Sequence, residues 1–242
     1  MPTIIYKEIL IALSDLAISE KATFLPKFFK TGKGEYAEGD KFIGVTVPDS
    51  RKIAKHFSQK VDFEEIQQLL NSEFHEMRLV ALLILIAKFE KTKDKIFQKL
   101  IVDFYLRNTR NINNWDLVDI SCYKILGRYC FENGKPQILR KLASSENMWE
   151  KRIAIVGTMY HIKKGNFELT KEFAVQNLLH PHDLIHKANG WLLREMGKKD
   201  EKMLLDFLKI HYTKMPRTCL RYAIEKLNED LRQDFLQGRI ES

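Results

Sequence analysis

Cysteine is scarce in this chain, with three residues in 242. Cys122, Cys130 and Cys219 are an odd set without a CxxC pair, which argues against a disulfide framework and against a thiolate zinc finger. So few thiols suit a reducing compartment, and the cytoplasm is the expected location. Long apolar runs are missing as well: none approaches the roughly 18 uninterrupted residues of a membrane helix, so no membrane association is expected. The opening MPTIIYKEILIALSDLA carries Lys7, Glu8 and Asp15 inside its apolar pattern and reads as a mature amphipathic helix, not a secretion signal. Positive charge, by contrast, is abundant. Forty Lys and Arg against thirty-two Asp and Glu leave a net charge of +8, which favours a polyanionic partner. Hydrophobic residues make up 45% of the chain, enough for a substantial core, and residues 1–242 are read as a single domain.

Period-two alternation is rare. From about residue 48 onward the apolar runs repeat at three and four, as in RLVALLILIAKFEK, WDLVDISCYKILGRYC, KRIAIVGTMYHIKKG and ANGWLLREMGKKD, which predicts helices. Pro48 and Asn113 or Asn114 are placed to open helices, and Gly134, Gly165 and Gly197 to close them. The runs also resemble one another: Arg152, Lys187 and Arg221 each precede an apolar block, at intervals of 35 and 34 residues. Two-helix repeats of this period predict an all-α solenoid of HEAT-like repeats, which folds as a monomer if its ends are capped. A cation repeated at one helical position would draw a charged stripe along the concave face; taken singly, each also fits a solvated surface.

One segment interrupts the helices. KFFKTGKGEYAEGDKFIGVTVP, residues 27–48, holds four of the eleven glycines, and Phe42 to Val47 alternate like a strand. A small β-hairpin or a glycine-rich insertion is expected near residues 30–47, a basic finger with Lys30, Lys33 and Lys41 at its tip or sides. GxxxxGK[ST] is absent, so TGKGE is not a nucleotide-binding loop, and phosphate backbone is the natural ligand.

The segment NNWDLVDISC raises a chemical question. On a helix opening at Asn113, Asp116 falls in the first turn, where a carboxylate bonds to free N–H groups. Asp119 has no such local reason; it lies one turn after Trp115 on the same face. It reads either as a buried acid satisfied by a neighbour or as a functional carboxylate. The other two tryptophans, Trp149 and Trp191, each stand three residues before an arginine, Arg152 and Arg194. Acid, indoles and guanidinium groups suit a cationic group attached to a phosphate-bearing polymer. HPHDLIH, with His180, His182 and His186, lacks a third ligand of zinc-site type and reads as a loop and helix start; Cys122 reads as a buried thiol.

Taken in order, FIGVTVPDSRKIAK, WDLVD with KILG, WEKRIAIV and ANGWLLRE resemble the AlkD-type DNA alkylation repair family, over roughly residues 42–200. That resemblance implies a HEAT-like solenoid gripping duplex DNA and hydrolysis of the N-glycosidic bond of cationic N3- or N7-alkylated purines. It implies further that Asp119 is the catalytic carboxylate, that Trp115 and Trp191 flank the damaged nucleotide and that Arg152 holds the backbone beside it. No metal or organic cofactor is required. The cations expected to meet DNA are Lys30, Lys33, Lys41, Arg51, Arg78, Lys187 and Arg194. The insertion between Lys30 and Lys41 is similar instead to the hairpin of AlkF-like relatives, which implies an alternative: non-catalytic binding of branched DNA. A scaffold taking an acidic protein segment is the third reading.

Overall fold

The computed structural model describes residues 3–240, and these divide into two compact units, one running to Ser121 and the other from Cys122. Both are helical, and among the described residues no strand forms. The fold class is all-α, as the three-and-four periodicity predicts.

The first unit contains α1 (Ile4–Ser14), α2 (Ser19–Phe28), α3 (Val47–Phe57), α4 (Phe63–Leu70), α5 (His75–Lys91), α6 (Lys95–Arg107) and α7 (Trp115–Cys122). Its centre is α5, which packs against α3 and α4 and is buried along nearly its whole length from His75 to Phe89. Caps set the boundaries. Thr46 accepts from the amide of Asp49 with Pro48 in the first turn of α3, and Asp62 and Glu65 form a reciprocal capping box on α4.

The second unit contains α8 (Arg128–Glu132), α9 (Pro136–Ala143), α10 (Met148–Lys163), α11 (Glu168–Gln176), α12 (Asp183–Gly197), α13 (Glu201–His211), α14 (Arg217–Ala223) and α15 (Glu229–Gln237). Helices α10, α12 and α14 pack in succession, while α9, α11 and α13 each pack on a member of that row. Arg152, Lys187 and Arg221 lie on α10, α12 and α14, so the interval of about 35 residues does mark one helix pair. A uniform charged stripe does not result. Arg152 is buried, Lys187 is half-exposed and ion-paired to Asp183, and Arg221 is exposed.

Backbone approach is closest where the chain enters the second unit. Tyr123–Gly127 form a π-helical turn, and a Cβ at Gly127 would lie 2.1 Å from the carbonyl oxygen of Gly157 on α10. Such a contact with backbone cannot be relieved by a rotamer change. Gly127→Ala is therefore expected to cost about 3 kcal/mol of stability, read as a lower urea midpoint with an unchanged slope.

The insertion is a loop and not a hairpin. Its one sheet-type pairing among the described residues is an isolated parallel bridge between Lys41 and Phe74. The reason lies outside the segment: the buried carboxylate of Glu76 on α5 accepts from the amides of Ile43, Gly44 and Val45 at 3.0, 2.8 and 3.3 Å. The N–H groups that a second strand would need point at one acid, and Gly44, with φ of +95°, turns the backbone to aim them there. The rest of the segment is tied down too. Ala37 and Gly39 donate to the carbonyls of Lys30 and Thr31, and Glu35 and Glu38 bond the amides of Gly32 and Gly34.

Candidate functional site

Helix α7 opens at Trp115 on Asn114, one of the two asparagines placed to cap it: Asn114 Oδ1 accepts from the Trp115 amide and its carbonyl from the Val118 amide. Leu117, Val118 and Ser121 are fully buried, and the hydroxyls of Ser121 and Tyr105 of α6 bond at 2.8 Å. With that side packed inward, Trp115 and Asp119, one turn apart, remain half-buried on another. The indole rests flat on Phe29, with ring centres 5.3 Å apart and planes at 24°, and meets the ring of Phe28 edge-on at 5.9 Å.

Asp116 does more than satisfy the helix start. Its Oδ1 accepts from the amide of Leu117, and its Oδ2 takes a 2.7 Å hydrogen bond from Nε2 of His75, the first residue of α5. Nδ1 of His75 faces Asp40 Oδ2 at 3.5 Å, and that same oxygen accepts from Arg78 Nη2 at 2.6 Å. His75, Arg78 and Asp40 are all buried. Burial alone pushes the His75 imidazole down, but the charge and hydrogen bond of Asp116, joined by Asp40 and opposed by Arg78, more than reverse this and raise it to about 9. Asp40, penalised by burial, is still held below the ordinary carboxylate range by His75 and Arg78. The imidazolium lies beside two rings, 4.8 Å from Phe42 and 5.0 Å from Phe29, which themselves stack at 5.1 Å.

The expected DNA contacts divide accordingly. Lys30, Lys33 and Arg51 are exposed, whereas Lys41 is exposed and paired with Glu73 at 2.9 Å. Arg78 departs from expectation: its side chain is spent inside the first unit on Asp40 and on the carbonyl of Ser72, so it presents no charged surface to a phosphate. In the second unit Arg152 is buried and donates to the carbonyl of Leu184 at 2.5 Å. Trp191 is half-buried on α12, and Arg194 one turn on pairs with Glu225 and Glu195. Trp149 is 8% exposed and belongs to the core. His182 caps α12 through Nδ1, and His186 bonds the carbonyl of His180, so these imidazoles order a helix start. All three cysteines are buried thiols outside any disulfide, and burial pushes those of Cys130 and Cys219 up to about 12.

The sequence reading did not find His75, Glu76 and Asp40. The available signal was the cluster HEMR, three ionisable residues in four at the head of an otherwise apolar helix.

The family model described as DNA alkylation repair enzyme matches residues 9–227. This chain belongs to that family. A solved structure described as a predicted DNA alkylation repair enzyme from Enterococcus faecalis shares the fold, with a TM-score of 0.69 at 18% identity, covering 88% of this chain and 97% of that one. No curated protein matches. As a DNA alkylation repair family member the chain has DNA as its implied partner, and among its described residues no helix is long and apolar enough to cross a membrane.

Proposed function

We propose that the protein is a DNA glycosylase that hydrolyses the N-glycosidic bond of cationic N3- or N7-alkylated purines in duplex DNA. The observation that carries this reading is the Trp115–Asp119 pair: an indole and a carboxylate one turn apart on α7, both reachable from solvent, in a chain of the DNA alkylation repair family. An alkylated purine is already a cationic leaving group, so the bond needs little acid assistance. What requires stabilisation is the oxocarbenium-like sugar, and one fixed carboxylate supplies it. Asp119 takes that role and orients the attacking water, while the Trp115 face attracts the charged nucleotide, for about 0.5–2 kcal/mol. Trp191 supplies an indole face for a charged nucleotide by the same attraction, whereas Arg152, buried and bonded to the carbonyl of Leu184, is no more available to a phosphate than Arg78 is. Lys30, Lys33, Lys41, Arg51, Lys187 and Arg194 supply the phosphate contacts.

The test is single-turnover release of 7-methylguanine from a duplex at neutral pH. Release that depends on Asp119 supports the reading; no release from the natural protein ends it.

A second reading, binding of branched DNA without catalysis, is favoured by one observation: Lys30 and Lys33 stand exposed on a loop held in shape by its own hydrogen bonds. Lys30→Glu with Lys33→Glu is then expected to weaken binding to a four-way junction more than to a linear duplex, measured by fluorescence anisotropy. Equal losses reject a junction-specific role.

A further inference from the structure

We propose that His75 is a positioning residue: by bridging Asp40 of the insertion and Asp116 of α7, it fixes the first turn of α7 and so aims Trp115 and Asp119. The inference rests on the glycosylase reading for its catalytic consequence, though not for its structural one.

The geometry has three parts. First, Asp116 is held at both carboxylate oxygens, by the Leu117 amide and by His75, so rotation or fraying of the α7 start would break a 2.7 Å bond. Second, Phe42, His75 and Phe29 form a three-ring cluster with centres 4.8, 5.0 and 5.1 Å apart, and Trp115 stacks on Phe29 at 5.3 Å as its half-buried edge. A cation in such a cluster attracts the rings it touches. Third, Phe42 and Asp40 both come from the insertion, whose amides are held by Glu76. The insertion is therefore joined through one imidazole to the helix that carries the proposed catalytic acid. A misplacement of that acid by about 1 Å is enough to cost roughly 100-fold in rate.

The protonated ring donates to both acids, whereas a neutral ring has a single N–H. The groups facing His75 are Asp40 from the insertion, Arg78 from its own helix and Asp116 from α7. Because the folded value is raised from 6.5 to about 9, the double bridge is intact at neutral pH and is lost as pH rises through about 9, while the stability it contributes is full below about 6.5 and declines between the two values.

The experiment compares the natural protein, His75→Leu and His75→Gln. Leucine removes the bridge, while the Gln amide donates to Asp116 at every pH. His75→Leu is expected to slow 7-methylguanine release by roughly 100-fold at saturating protein with little change in duplex affinity. The natural rate is expected to fall above pH 9, and His75→Gln to keep most of the activity at neutral pH without that fall. A His75→Gln profile that still falls at the same pH overturns the proposal. A second readout does not involve catalysis. With Trp149→Phe and Trp191→Phe, Trp115 is the single indole, since the chain has three. Adding His75→Leu is expected to shift its emission to the red and to increase quenching by acrylamide; unchanged emission overturns the proposal. If the natural protein releases no base, the glycosylase reading fails and the emission readout alone decides the positioning role.

Discussion

Asp119→Asn is expected to slow release of 7-methylguanine by about 100- to 1000-fold, the range seen when one preorganised electrostatic partner of a transition state is lost. Asparagine keeps the size of the side chain and much of its hydrogen-bonding ability, so α7 has no reason to repack. What disappears is the negative charge facing a sugar that becomes positive only as the bond breaks. That selectivity separates binding from chemistry. An interaction made mainly in the transition state lowers the rate constant at saturation and leaves ground-state affinity alone. Removing a carboxylate close to polyanionic DNA also relieves repulsion, so duplex binding is expected to hold or tighten slightly. Single-turnover rates with protein in excess, set beside anisotropy titrations of the same duplex, distinguish the outcomes. A wild-type rate in Asp119→Asn would remove the acid from the mechanism. An equal loss of rate and affinity would make it a binding or folding residue.

The sequence makes the repeating part of this molecule legible and its non-local part opaque. Helix α5 and the row of α10, α12 and α14 follow from apolar spacing, because helix burial is periodic along the chain. Trp115 and Asp119 share a side of α7 for the same reason. The insertion shows the limit. Phe42 to Val47 alternate as a strand would, yet Glu76, more than thirty residues later, takes three of the amides first. Likewise Asp116 reads correctly as a carboxylate at a helix start, but its principal partner, His75, lies 41 residues away. Arg78, read as a DNA contact, is claimed by Asp40, 38 residues before it. In each case the local pattern is right about geometry and silent about the partner. The equivalent repeat positions of Arg152 and Lys187 differ for a related reason: periodicity fixes where a residue stands, while its neighbours fix whether the charge reaches solvent.

Glu76→Ala is expected to be the most destabilising single truncation in the first unit, at about 3–5 kcal/mol. Glu76 is 2% exposed and its two oxygens receive the amides of Ile43, Gly44 and Val45. Those three donors have a common acceptor, so alanine leaves them together without it, at about 1–3 kcal/mol for each that stays buried. The chain cannot easily recover by forming the strand that its sequence suggests. The neighbouring bridge between Lys41 and Phe74 is parallel and isolated, and Gly44 stands at a φ of +95°, outside strand geometry. The alternative is to expose the segment to water, and that uncovers Phe42 and Val45, both buried. Glu76→Gln keeps one of the two acceptors. Its amide oxygen can still hold Gly44 and Val45, but its NH2 then faces the Ile43 amide donor to donor, so the loss is expected to be smaller than for alanine, about 1–3 kcal/mol for the one unsatisfied amide. Urea denaturation ranks the two variants, and amide hydrogen exchange at residues 43–45 locates the damage. Exchange in Glu76→Ala as slow as in the natural protein would mean that other acceptors hold these amides. Rapid exchange confined to the insertion, with α5 still protected, would show that Glu76 tethers the loop while the helix core stands without it.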